Sequence, residues 1–437
     1  MQKHWCVVVA IVGFGTAACT KQVNVCHQDS DCGDVAYPFC DMNGEYAASG
    51  GDKGVCTIVP PDCSPERCGC IPNATTCQND QLSVCQSDGK SASMTACDLG
   101  CSADGTHCLT FAPSNGLGDA LGMADAASDA EIPDHYTIST DGRIISDDTG
   151  TAYPVKSILL AQSSGVGIRI FIAKSFKIHA VQVRGYDNAI AFVASGPITI
   201  DGLVDASSYR GLNGPGAIAG GACAGMGGSY GGGGGGNAVA GGNGSPIAQL
   251  PPAPGATGGA AQIDSFDPIA GGCIGGDENG TSFGGPAGGA LQFVSRTSMT
   301  VASTGTVDVG GGGGGDGGGG GAGGNVLVEA PVVSIDGGIT ANGGSGGACG
   351  ISGTHSTPDA TPAPGVGSCN TQGTTHSGNG GTGALPPTDG AKGDYMAGAG
   401  GGGSVGRFGV RTRDGNYSHG VGVLLSAKIS TGTLHLQ

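Results

Sequence analysis

Tryptophan is all but missing from this chain. The single Trp5 lies at the extreme N-terminus, and aromatics make up 5% of the 437 residues. Tyr186, Tyr209, Tyr230 and Tyr395 are scattered. That scarcity counts against a sugar-binding groove, which needs flat apolar rings with a polar handle. Charge is also thin, at 12% Asp, Glu, Lys and Arg, against about 25% in ordinary globular proteins. The balance is acidic, −17 formally, which repels phosphate backbones and excludes nucleic acid as a partner. No apolar run approaches the ~20 residues needed to cross a bilayer. No GxxxxGK[ST] phosphate loop occurs, nor a C-x2-C knuckle in the cysteine-rich region.

Glycine, with 92 residues, is what the chain has in excess. No strict every-third-residue period exists, so collagen is excluded. Glycine loses the most backbone freedom on folding, so a glycine-rich chain needs another source of order.

The N-terminus reads Met1-Gln2-Lys3-His4, an apolar run from Trp5 to Gly15, then Thr16-Ala17-Ala18-Cys19. A basic start, a short apolar core and small residues make a secretory signal over residues 1–18. The small residues before Cys19 resemble the bacterial lipobox. That resemblance implies lipidation of Cys19, a lipid-anchored tether over 19–25 and attachment to a membrane through the lipid. Thr16 departs from the usual leucine, which leaves open cleavage after Ala18 without lipid. Thr20 stands where an inner-membrane retention signal would carry Asp, so the expected location is the outer membrane or cell surface, or otherwise the secreted fraction.

The cysteines agree with export. Of 18, Cys6 falls in the signal and Cys19 is the lipid site, which leaves sixteen. Twelve cluster in a head over 26–108: Cys26, Cys32, Cys40, Cys56, Cys63, Cys68, Cys70, Cys77, Cys85, Cys97, Cys101 and Cys108. Cys223, Cys273, Cys349 and Cys369 follow later. Even groups suit a fully disulfide-bonded set in an oxidising compartment. A head this small needs cross-links in place of a large core. Its spacings resemble the small Cys-rich repeats of myxobacterial secreted proteins, and the chain as a whole resembles Cys-rich, Gly-rich lipoproteins of that type with a parallel β-helix body. Neither metal nor cofactor is expected.

Residues 109–134 carry Asp119, Asp125, Asp129, Glu131 and Asp134 among Gly, Ala and Ser, and are read as a flexible acidic linker. From 135 to 437 the pattern predicts a Gly-rich β-solenoid. Strand-like alternation appears at Arg143–Ser146, Lys156–Ala161, Ile168–Ala173 and Phe176–Val183. A motif of three short strands then recurs at Ala189–Ser207, Ala290–Gly311 and Asn325–Gly344, with Gly420–Gln437 as a fourth copy. Units of this length, unable to bury an apolar face alone, stack as coils of a right-handed parallel β-helix. The competing architecture is an antiparallel sandwich. Long insertions (Tyr209–Gly289, Gly310–Gly324 and Gly343–Ser404) leave at one corner of the motif and hold the glycine runs. Those runs form either floppy loops or extended chains packed side by side, each resembling polyproline II.

Catalytic residues are not expected. Asp201, Asp205, Asp308 and Asp336 are the obvious acids, and Arg407, Arg411, Arg413, Asp414 and His419 form the one mixed-charge group. G-x-S-x-G around Ser229, Ser345 and Ser404 lies in glycine tracts without the strand-to-helix context of a nucleophile elbow. Gly275–Gly280, with Asp277 and Glu278, and Gly311–Gly319, with Asp316, are weak calcium-loop matches. The expected function is a non-catalytic surface lipoprotein with an envelope-structural or adhesive role. A polysaccharide-binding or polysaccharide-degrading β-helix protein and an ice- or surface-binding solenoid are the alternatives, with envelope polysaccharide or another surface as partner.

Overall fold

The computed structural model describes residues 73–87, 91–97, 99–163, 165–185, 187–245, 255–280, 282–367, 375–391 and 398–437, with the short pieces 26–27, 31–32, 39–41, 55–57 and residue 70. The signal, Cys19, Cys63, Cys68, Cys369, Tyr186 and Tyr395 lie outside them. The chain divides into two compact units, residues 1–109 and 110–437.

The first unit is built on sulfur. Strands Thr75–Gln78, Gln81–Cys85 and Ala92–Ala96 form an antiparallel meander. The turn between the first two runs through Asn79 and Asp80, both at positive φ, a conformation these residues tolerate. Disulfides Cys70–Cys85, Cys77–Cys101 and Cys97–Cys108 staple it. Earlier in the chain, Phe39–Asp41 pairs with Val55–Thr57, and Cys26–Cys40 and Cys32–Cys56 are bonded.

The second unit is mainly β and its sheets are mainly parallel. Three sheets run through it, and successive strands enter them in rotation. Gly167–Ala173, Asn188–Ala194, Ala290–Ser295, Asn325–Glu329, Arg407–Thr412 and Lys428–Thr433 lie in the first sheet. Phe176–Ile178, Ile198–Ile200, Ser298–Val301 and Val332–Ile335 lie in the second. Val181–Arg184, Leu203–Asp205, Thr306–Asp308 and Gly338–Thr340 lie in the third. Each strand pairs in parallel with its counterpart one motif later. Register stacks like residues: Phe171, Phe192 and Phe293 are successive Cα partners, with ring centroids 5.8 and 5.3 Å apart. They head a continuous core with Ile198, Met299 and Val333 of the second sheet and Val204, Val307 and Ile339 of the third. Strands Lys156–Leu160 and Ile144–Ser146 add antiparallel at the N-terminal side.

Two expectations are corrected. The fourth motif copy begins at Arg407, not Gly420. Arg407–Thr412 extends the first sheet, Ser418–His419 the second and Leu424–Ser426 the third, and Lys428–Thr433 returns to the first. Gly420–Gln437 therefore spans the end of one motif copy and the start of the next.

The acidic linker is likewise ordered from Thr110 onward. Phe111 bridges to Leu436, and Thr110 and Gln437 exchange backbone hydrogen bonds of 2.9 Å. Helix Gly118–Ala124 follows, with Leu117, Ala120, Leu121 and Ala124 buried. Ala130–Ile132 then joins the second sheet beside Phe176–Ile178. The segment is a strap across the outward face of the first sheet, where Ala191, Gln292 and Leu327 are fully buried. Burial on both faces explains why those strands read as nearly unbroken apolar runs.

Candidate functional site

The glycine insertions all leave after a third-sheet strand and return before the next first-sheet strand, at Asp205 to Ala290, Asp308 to Asn325 and Thr340 to Arg407. In the described residues they are ordered and packed on one another. Gly232 and Gly235 donate to the carbonyls of Gly317 and Gly320. Gly320 and Gly323 donate to Gly401 and Ser404, and Gly401 and Ser404 donate back to Gly232 and Gly235. Gly400, Gly403 and Gly406 donate to Gly347, Gly344 and Ala341. Bonds at every third residue are the signature of extended chains with three residues per turn, whose neighbours satisfy backbone groups that an isolated chain would leave to water. Side chains are excluded by the spacing: a Cβ at Gly319 would collide with the Gly233 carbonyl, and one at Gly403 with that of Gly321. Disulfide Cys223–Cys273 ties two chains of the first insertion, and Cys349 in the third is also disulfide-bonded.

The sequence-selected acids separate into three places. Asp205 and Asp308 are Cα partners on adjacent third-sheet strands. Arg184 bonds the Asp205 carboxylate at 2.5 Å, and Ser207 holds its other oxygen. Asp308 is buried and accepts from the Thr340 hydroxyl at 2.8 Å and the Gly310 N–H at 3.1 Å. Burial pushes its carboxyl up to about 7 despite those bonds, with Asp205 adding to the rise. Tyr209 packs against both Arg184 and Arg210, 4.5 and 4.9 Å from its ring centroid, so both guanidinium groups lie on the ring a sugar would need. Asp201 lies on the outer face of the second sheet, 2.7 Å from His179 Nδ1 and 3.7 Å from Lys177, while Glu131 meets His179 Nε2 at 3.1 Å. Asp336 contacts Ser334 at 3.4 Å.

The mixed-charge group is dispersed. Arg407 is buried and gives its guanidinium to the carbonyls of Asn237, Gln262 and Ile263. Arg411 faces Glu329, its partner on the neighbouring strand, at 4.0 Å. Asp414 accepts from Asn416 in its own turn, and His419 lies against Tyr417 with centroids 5.7 Å apart. Ser345 and Ser404 are buried in the glycine bundle and bond backbone groups. Cys26, Cys32 and Cys56, and Cys77, Cys97 and Cys101, lie close enough to suggest metal triads, but these sulfurs are in disulfides and lack the thiolate a zinc site uses.

One network escaped the sequence reading. Glu329 is buried and accepts from Ser114 N and Oγ at 3.1 and 2.7 Å and from Gln292 Nε2 at 2.8 Å. Burial raises its carboxyl. Asn115 donates to Gln292 and the Phe266 carbonyl, both at 2.9 Å, and accepts from the Ile269 N–H at 3.0 Å. Lone polar residues inside apolar strands, Gln292 in ALQFVS and Glu329 in NVLVEA, were its only sequence signal.

At the far end of the bundle, turns from all three insertions meet. Gly228 bridges to Glu278, Gly317 donates to Glu278 at 3.2 Å, Gly315 to Phe283 at 2.8 Å and Gly350 to Asp316. Both weak calcium-loop matches fall here. Burial and the nearby Asp316 raise the Glu278 carboxyl.

No family model matches the chain, and no curated protein or solved structure matches it.

Proposed function

We propose that the chain is an exported, non-catalytic surface protein in which a right-handed parallel β-helix holds a glycine bundle out as its contact element. The rotation of strands through three parallel sheets supports the helix, and returns to a parallel neighbour are almost always right-handed. The disulfides support an oxidising compartment. The lipobox-like ending at Cys19 supports lipid anchoring at the outer membrane or cell surface, since more than one acyl chain gives stable attachment.

The observation that carries the reading is the bundle itself. In the described residues the glycine runs of the three insertions pack backbone against backbone, which yields a rigid projection with few side chains to line a cleft. Labelling intact cells with a fatty-acid probe and then treating them with external protease tests it. Wild type is expected to incorporate label and to be cleaved, and Cys19→Ala to lose the label. An unlabelled, protease-protected wild type would overturn the location.

The Asp205–Asp308 pair favours one second reading, a polysaccharide-degrading β-helix protein, because two carboxyls in unlike environments can divide acid and base roles. Burial of Asp308 and the arginine-packed Tyr209 weigh against it. Turnover of a glycan that Asp308→Asn abolishes would establish it.

A further inference from the structure

We infer that the distal end of the glycine bundle is a docking surface for a protein whose own contact patch is apolar at the centre and rimmed by Lys or Arg. The inference rests on the reading of the bundle as the contact element. Met226, Phe283 and Ile351, one from each of two turns of the first insertion and one from the third, are 61, 85 and 50% exposed. Large apolar side chains on a rigid frame are the usual anchors of a protein interface, and their loss of freedom on binding is small when the turns are already ordered. These turns are held in place: Asn279 Nδ2 donates to the Ser229 carbonyl at 2.5 Å, Gly347 N donates to Gly318 at 2.8 Å and Gly353 to Gly314 at 2.6 Å.

The rim fixes the sign of the partner. Asp277, Glu278 and Asp316 lie on turns hydrogen-bonded to those that carry the apolar residues (Gly228 to Asp277, Ser282 to Glu278, Gly350 to Asp316), and the described tip turns (225–231, 276–280, 282–284, 314–318 and 347–352) contain neither Lys nor Arg. A basic rim complements that field and speeds encounter, whereas an acidic one is repelled. The net charge of −17 adds to the repulsion of anionic surfaces at long range.

The test uses the purified full chain and three immobilised probes: an amphipathic Leu/Lys peptide, an amphipathic Leu/Glu peptide and polylysine. Wild type is expected to bind the Leu/Lys peptide at least tenfold more tightly than either other probe. The triple variant Met226→Ser, Phe283→Ser, Ile351→Ser should lose at least tenfold. A control carrying Ile263→Ser and Leu385→Ser, exposed apolar positions away from the tip, should bind as wild type does. All five side chains are half exposed or more, and circular dichroism checks that the variants remain folded. Equal binding by the tip variant, equal binding of Leu/Glu or polylysine by wild type, or no binding at all would overturn the inference. None of these outcomes bears on whether the chain is lipidated or surface-exposed, which the cell-labelling experiment reads separately.

Discussion

Gly401 of the third insertion donates its backbone N–H to the carbonyl of Gly232 in the first, at 3.0 Å, although the two lie in segments that share no side-chain pattern. Gly320 of the second insertion in turn donates to Gly401 at 2.9 Å. The relationship explains the abundance of glycine: chains that bond each other this closely leave no room for a Cβ. Gly319→Ala and Gly403→Ala should each destabilise the protein by about 2 kcal/mol or more, the range of overpacking in a dense interior. Gly220→Ala, where no atom lies within 4 Å of the added carbon, should leave thermal unfolding unchanged. Equal effects at all three positions would show the tracts to be unpacked.

Gly122 makes the opposite case. It lies in helix Gly118–Ala124 with open space around its missing side chain. Gly122→Ala should stabilise by about 0.5–1 kcal/mol through helix propensity. A neutral result in calorimetry would argue that the strap is not helical in solution.

The strap should also be locked by Asn115. Asn115→Ala removes three hydrogen bonds, strands buried acceptors on Gln292 and Phe266 while the Ile269 N–H keeps Gln162 at 2.9 Å, and puts alanine at φ 61°. A loss of about 2–4 kcal/mol is expected from unsatisfied buried groups and backbone strain. Limited proteolysis should then cut within 113–124 before it cuts the sheets.

The stacked strands were legible because Ile, Met and Val alternate with Thr and Ser across Ile198–Ile200 and Ser298–Val301 and because Asp-Gly and Thr-Gly mark their turns. The strap was legible in principle: Leu117, Ala120, Leu121 and Ala124 follow helical spacing. Interleaved Asp and Gly masked it. The last motif copy was misplaced because RFGVRT carries Arg407 outward into a buried nest of carbonyls, which breaks the expected alternation. The partners of the glycine tracts could not be read at all. A tract without side chains has no register to announce. The Glu329 network likewise depends on a cover that arrives from far along the chain.

Asp308 gives a pH dependence with a definite sign. Its folded value of about 7 lies above the usual carboxylate value of 3.8. The native state therefore holds its proton more tightly than the unfolded chain does. The stability this group contributes is fully present below about pH 4 and is lost as pH rises from there to about 7. The span corresponds to roughly 4 kcal/mol at most. Asp308→Asn keeps an acceptor for Thr340 and Gly310 and removes the titration, so it should be more stable than wild type at pH 8 and nearly equal at pH 4. Parallel pH profiles of the two proteins would contradict this.

Disulfide Cys223–Cys273 closes a separation of 50 residues. A loop of that length is worth about 4 kcal/mol in chain entropy. Paired replacement, Cys223→Ser with Cys273→Ser, should lower the free energy of unfolding by a comparable amount and free the first insertion before the parallel sheets melt.

The most direct test of the account is residue-resolved amide hydrogen exchange on the native protein. Ordered, mutually bonded glycine chains predict slow exchange at Gly232, Gly235, Gly320, Gly401 and Gly403, comparable with strand residues such as Val193 and Phe293. Exchange at those glycines as fast as in an unstructured peptide, with the strands still protected, would contradict it.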